Sequence, residues 1–147
     1  MRRRERRGGA AVEFAVVAPM VFLVLFAIFE YGRYFMVRHL MDSAAREGVR
    51  YAVVNSTVGT PALVANVVNA RTAPIQNAFV NASYAVDVFW LDSTAGNAKK
   101  YPYSDAPFGS MMGVTVTATF KPMMPRLLYM STTIPVKSSC YMLSEAN

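Results

Sequence analysis

From Arg2 to Phe29 the chain reads RRRERRGGAAVEFAVVAPMVFLVLFAIF, and few folds can accommodate such a stretch. Five arginines and one glutamate come first, then two glycines, then a run in which Glu13 is the only charge. The run is about twenty residues long, enough to cross the hydrocarbon core of a bilayer as a helix. Arginines ahead of such a span hold the N-terminus in the cytoplasm, which places the rest of the chain on the far side. The expected organisation is a basic leader over 1–8, a transmembrane helix over 9–31, its continuation over 32–54 and a globular domain over 55–147.

Glu13 is what needs explaining, because a charge at the centre of a membrane costs about 2.5–3.5 kcal/mol and less near an interface. Two readings are open. In one, Glu13 sits at headgroup depth and its carboxylate snorkels to water. In the other, the glycines matter. A basic leader ending in Gly8, then an apolar helix with glutamate fifth (Glu13) and an aromatic sixth (Phe14), resembles a type IV prepilin cleavage site. The resemblance implies that a membrane aspartyl peptidase cuts between Gly8 and Gly9 and that the Glu13 carboxylate meets the free N-terminal amine of a neighbouring subunit. A carboxylate in apolar surroundings needs such a compensating charge. A secretory signal peptide shares the basic and apolar regions, but the sequence after the run, Glu30-Tyr31-Gly32-Arg33-Tyr34-Phe35, lacks a small-residue cleavage site. The segment is therefore expected to remain as an anchor.

The formal charge of +6 is mostly a topology signal. Residues 1–8 hold five of the fifteen basic residues and one of the nine acidic ones, leaving ten against eight for the remainder. A nucleic-acid footprint needs a basic cluster, whereas Arg71, Lys99, Lys100, Lys121, Arg126 and Lys137 are scattered. No nucleic-acid partner is expected.

Helical character continues past the membrane. No proline occurs from Glu30 to Val54, and charges fall at helix spacings: Glu30 with Arg33, Arg38 with Asp42, Asp42 with Arg46, Glu47 with Arg50. Each such pair contributes a few tenths of a kcal/mol, and together they predict a water-exposed face. Ala44, Gly48 and Ala52 recur every four residues as a small-residue stripe that lets another element approach closely. One helix over 9–54 would be about 69 Å long. Pro19 removes a backbone hydrogen bond within it and predicts a kink, although transmembrane helices also tolerate proline without one.

Three segments in order, Ala11–Pro19 (AVEFAVVAP), Phe29–Arg33 (FEYGR) and Ala44–Ala52 (AAREGVRYA), together resemble the TadE-like proteins, minor pilins or pseudopilins of tight-adherence (Flp-type) pilus systems. The similarity covers roughly the first 54 residues; the remainder agrees only in layout. The major pilins of such systems are very short, so the additional residues here imply a minor or accessory subunit. The resemblance further implies a prepilin peptidase, other pilins and pseudopilins, a pilus assembly platform and the lipid bilayer as partners, with a role in pilus biogenesis and adhesion. The competing expectation is a single-pass binding or assembly-platform protein whose signal anchor stays uncut.

After a turn-rich break at 55–59, Thr60-Pro61 offers an N-cap and a first-position proline. A short helix is predicted over 62–70 with Leu63, Val64, Val67 and Val68 inward, and a second from Thr72 towards Phe79. The period then changes. Tyr84 to Leu91, Val114 to Phe120 and Ile134 to Leu143 alternate as strands, and residues 92–107 are expected to be loop. The predicted fold class is α+β: a long N-terminal transmembrane helix packed on a small antiparallel β-sheet, pilin-like, with short extra helices. Three strands with one apolar face each need a cover, and Ala44, Gly48, Ala52 and the short helices are available for it.

Little in the composition points to catalysis. His39 stands alone on a charged helix, and the acidic candidates Asp87, Asp92, Asp105 and Glu145 are dispersed. No phosphate-binding glycine loop occurs, and no metal or cofactor is expected. Cys140 is the sole cysteine and is predicted to behave as a small inward hydrophobe, with an intermolecular disulfide as the other reading. Met111, Met112, Met123, Met124 and Met130 are read as flexible core filling in preference to an exposed contact surface. Asn55 and Asn81 each open an Asn-X-Ser/Thr sequon, read as chance.

Overall fold

The structure, a computed structural model, describes residues 5–56, 59–80, 83–126 and 128–144. Arg2–Arg4 of the leader, Thr57 of the first sequon, Asn81 of the second and Glu145 lie outside the described residues.

Helix α1 runs unbroken from Glu5 to Val54, through Pro19, for 50 residues, or about 75 Å. Among the described residues it is the one helix long and apolar enough to cross a membrane, which fits a single-pass membrane protein. Among the described residues, its first half buries no side chain. Val12, Phe14, Val16, Met20, Phe22 and Phe29 are all exposed. Its second half buries Val37, Met41, Ala44, Ala45, Val49 and Ala52, positions three and four apart that share one side of the helix.

Helix α2 (Pro61–Thr72) lies against that half of α1. Proline at its first position costs no hydrogen bond there. Val64 and Val68 are fully buried, whereas Leu63 is 44% exposed and Val67 only half-buried. The inward stripe is thus narrower than the sequence predicts, because α2 rests in the corner between α1 and the sheet and its flanks face water. A single stretch of 3-10 helix, Ala73–Ala78, follows.

The sheet is antiparallel, in the order β2-β1-β3-β4, with β1 Ala85–Asp92, β2 Ala98–Lys100, β3 Met111–Phe120 and β4 Ile134–Leu143. Its register aligns Val88, Val114 and Cys140 across three strands. Met112, Val114, Val116, Ala118 and Phe120 of β3 are buried on the face that α1 crosses. Cys140, half-buried and unbridged, shares that face. The α+β arrangement of a long helix on a small antiparallel sheet is the one the sequence predicts.

Two parts differ from expectation. Residues 92–107 are not plain loop: Ala98–Lys100 pairs with Trp90, Leu91 and Asp92 as a short edge strand. All three of its residues are exposed, so no apolar alternation announces it. Two lysines on an edge also discourage pairing with another chain. The outer face of the sheet, expected to be polar, holds a fully buried Phe89. The ring is flanked by Tyr101 and Tyr141 (centroids 6.4 and 6.1 Å away), with Lys99 Nζ 3.8 Å above it. It fits because residue 113 has no side chain: a Cβ there would lie 2.7 Å from the ring.

Candidate functional site

The N-terminal positions lie on a bare helix. Gly8, Gly9, Glu13, Phe14 and Pro19 are all exposed, and a Cβ added at Gly8 or Gly9 would meet nothing within 4 Å. The backbone at Gly8–Gly9 is helical. Two adjacent glycines cost about 0.8–1 kcal/mol each relative to alanine in a helix interior, so α1 is weakened here. Glu13 makes no hydrogen bond or ion pair with any described residue.

The stripe is enclosed on two sides. Ala44 and Ala52 are buried, and a Cβ at Gly48 would lie 2.6 Å from Val68 Cγ2 of α2 and 3.3 Å from Val114 Cγ1 of β3. Gly48 thus marks the point where helix, helix and sheet meet most closely.

A third constellation lies where the apolar run ends. Glu30 is 5% exposed, which corrects the expectation that it belongs to a water-exposed face. Its Oε1 accepts from Arg33 Nη2 at 2.9 Å and from the backbone N–H of Met123 at 3.1 Å. Arg33 Nη2 also donates to the carbonyl of Lys121 at 2.6 Å, and its guanidinium sits 4.7 Å from the centroid of the Phe120 ring. Tyr34 packs edge-on to the same ring. A carboxylate can be buried here because a cation and a backbone donor compensate it. The result is a clasp that joins α1 to the end of β3 and the loop after it. Beside it opens a notch of about 410 Å³ lined by Phe26, Phe29, Glu30, Arg33, Met123 and Met124.

One of the other charge pairs predicted along α1 is exchanged for a tertiary one. Glu47 pairs with Arg71 of α2 at 3.1 Å and not with Arg50, since α2 offers a guanidinium that sequence spacing cannot reveal. Tyr103 is fully buried, and burial raises its pKa above the ordinary 10.0, with Tyr51 adding to the shift. Its hydroxyl has no partner among the described residues and lies so close to Gly59 that a Cβ there would collide with it.

The remaining candidate groups stay apart. His39 is exposed. Asp87 accepts from Lys99 Nζ (2.6 Å) and Tyr101 Oη (2.7 Å). Asp92 accepts from the hydroxyl and N–H of Thr94, bonds that hold its carboxyl below the ordinary range. Asp105 lies exposed on a short 3-10 turn. Among the described residues no three His, Cys, Asp or Glu side chains converge as a metal site. Of the five methionines read as core filling only Met112 is buried; Met111, Met123 and Met124 are exposed and Met130 is intermediate. They flank turns at strand ends, where the inward face has already passed.

The model of the TadE-like protein family matches residues 8–50. Over residues 8–50 the chain is similar to the TadE-like proteins. No curated protein and no solved structure gives a significant match. The TadE-like stretch contains Gly8, Gly9, Glu13, Phe14, Pro19, the Glu30–Arg33 clasp, Ala44 and Gly48, and stops short of Ala52, α2 and the sheet. It points to a protein associated with a tight-adherence pilus. The Glu30–Arg33 pair is the one that helix spacing predicts, whereas its burial and its bonds to Lys121 and Met123 are not legible in the sequence. The available signal was a glutamate placed where the apolar run ends, with an arginine three residues on.

Proposed function

We propose that this chain is a minor pilin or pseudopilin of a tight-adherence pilus, cut by a prepilin peptidase between Gly8 and Gly9 and held by α1 in the bacterial inner membrane. Its N-terminus is cytoplasmic and its α+β domain periplasmic. The observation that supports this reading best is the state of Glu13. It is an exposed carboxylate with no hydrogen-bond or ion-pair partner among the described residues, and a neighbouring subunit's new amino terminus would supply the compensating charge it needs in apolar surroundings. The glycine pair eases local unwinding for the peptidase. The apolar surface of α1 exchanges lipid for the helices of other pilins, and the assembly platform moves the subunit. The chain acts in pilus biogenesis and adhesion as a structural subunit with no cofactor, not as an enzyme.

The test is the mass of the protein extracted from membranes of a cell with a working prepilin peptidase. The expected mature chain begins at Gly9, and a Gly8→Leu variant stays full length. Glu13→Ala is expected to be processed normally yet to impair assembly. An intact leader overturns the reading. It would favour a single-pass assembly-platform protein with an uncut anchor, for which the unbroken helix across Gly8–Gly9 speaks.

A further inference from the structure

The start of the loop between β3 and β4, at Lys121 and Met123, is fixed in depth by the clasp. The Met123 N–H binds the Glu30 carboxylate, so the loop backbone sits level with residue 30, where the apolar run of α1 ends. Met123 and Met124 then line the notch with Phe26 and Phe29, the last aromatic rings of that run. Met123 is 74% exposed and Met124 42%. Further along, Tyr129 is entirely exposed and holds a left-handed backbone (φ 51°). For a residue of that size this is a strained conformation, and it returns no contact within the described chain. Strain that presents a side chain outward motivates a search for what it meets. Lys121 and Arg126, both exposed, bracket the methionines, and no acidic residue lies between 121 and 133.

We infer that this loop is seated in the bilayer surface at the leaflet where α1 leaves the membrane, and that its occupant is anionic phospholipid. An acyl chain fills the notch between Phe26, Phe29, Met123 and Met124, and Lys121 and Arg126 meet the phosphates. The inference rests on α1 spanning a membrane. The notch is continuous with the exposed apolar surface of that helix, so lipid reaches it without leaving the hydrocarbon. Tyrosine suits the depth assigned to Tyr129, with an apolar ring and a polar tip at the headgroup boundary. Basic residues beside an apolar wedge are the combination that binds anionic leaflets. The domain is thereby held against the membrane at two places, its helix and this loop.

The full chain carrying Tyr129→Trp, reconstituted in phosphatidylcholine/phosphatidylglycerol vesicles with acyl-brominated phosphatidylcholine, tests this by fluorescence quenching. The wild-type chain supplies the control, because its one tryptophan, Trp90, pairs with Met112, eight residues along β3 from Phe120, or about 26 Å at strand rise. The added indole is expected to be quenched severalfold more than Trp90. Lys121→Gln with Arg126→Gln should bring that quenching down to the level seen in phosphatidylcholine alone. Vesicle flotation with no excess quenching overturns the inference while leaving the membrane span intact; failure to float removes both. Cross-linking of Met123 to a second copy in place of quenching makes the notch a subunit contact and also overturns it. Equal quenching without the anionic lipid overturns the phosphate assignment.

Discussion

Between Val12 and Phe29 the apolar side chains of α1 ring the helix and lie exposed, whereas from Val37 to Ala52 they fall on one side and are buried. Three glutamates chart the same change along one helix. Glu13 is exposed amid apolar residues with no described partner. Glu30 is buried and clasped. Glu47, with its side chain 45% exposed, pairs with an Arg71 that is 57% exposed. A lipid-facing surface needs only to be apolar on all sides. A packed surface must also match the shape of what it meets, which is why the small residues Ala44, Gly48 and Ala52 lie in the second half. Position along the helix, not residue type, decides what a glutamate does here.

The sharpest way to break this contrast is to enlarge one glycine of α1 that is packed and one that is not. Gly48→Leu forces a side chain into the Val68 and Val114 methyls, and overpacking of that kind costs about 1–3 kcal/mol, with this site expected near the top of the range. Gly32→Leu meets no neighbour within 4 Å and is expected to gain up to about 0.7 kcal/mol of helix propensity. Thermal unfolding of the detergent-solubilised chain should therefore shift in opposite directions. If Gly48→Leu unfolds no earlier than Gly32→Leu, the second half of α1 is not packed as described.

Much of the fold was legible because it rests on periodicity. The strands at 114–120 and 134–143 alternate cleanly, and the first fifty-odd residues lack a helix-stopping signal apart from Pro19. What was hidden depends on contacts distant in sequence. The edge strand Ala98–Lys100 exists only through its pairing with β1. Phe89 is buried on the outer face because Gly113 and two tyrosines happen to lie opposite it. At the candidate site, Gly8, Gly9, Glu13 and Phe14 could be picked out as a local pattern. The burial of Glu30 could not, since its backbone donor, Met123, is 93 residues away.

Glu30 is the next test of the contrast, because it stands at the border between the two regimes. Glu30→Ala leaves the Met123 N–H without its acceptor and frees Arg33, whose side chain is 28% exposed. Hydrogen bonds to a charged group are worth about 1.5–3 kcal/mol; since Arg33 regains water, a loss of about 2 kcal/mol is expected. Hydrogen exchange should show residues 121–126 opening first, with the helix–sheet core still protected. The exposed Glu47–Arg71 pair sets the scale for comparison, and Glu47→Ala should cost no more than about 1 kcal/mol. Equal effects at the two positions would mean that the clasp contributes no more than a surface pair.

The smallest effect at neutral pH is expected where the packed half ends, at Tyr103. Its hydroxyl is buried without a described partner, so Tyr103→Phe removes a polar group that makes no bond while keeping the ring; a change within about 1 kcal/mol, in the stabilising direction, should result. The same burial raises the pKa of the phenol above 10.0. The folded state therefore favours the neutral form, and the corresponding stability is fully present below the unfolded value and lost as pH rises through the folded one. Tyr84, raised chiefly by burial against the opposing bond to Thr72, and Tyr101, raised chiefly by its bond to Asp87, act in the same direction. Melting curves recorded from pH 7 to above pH 10 should fall at the alkaline end, and Tyr103→Phe should make that fall shallower without abolishing it. An alkaline limb unchanged by Tyr103→Phe would place the sensitivity in the other two tyrosines and leave the end of the packed half without a titrating group.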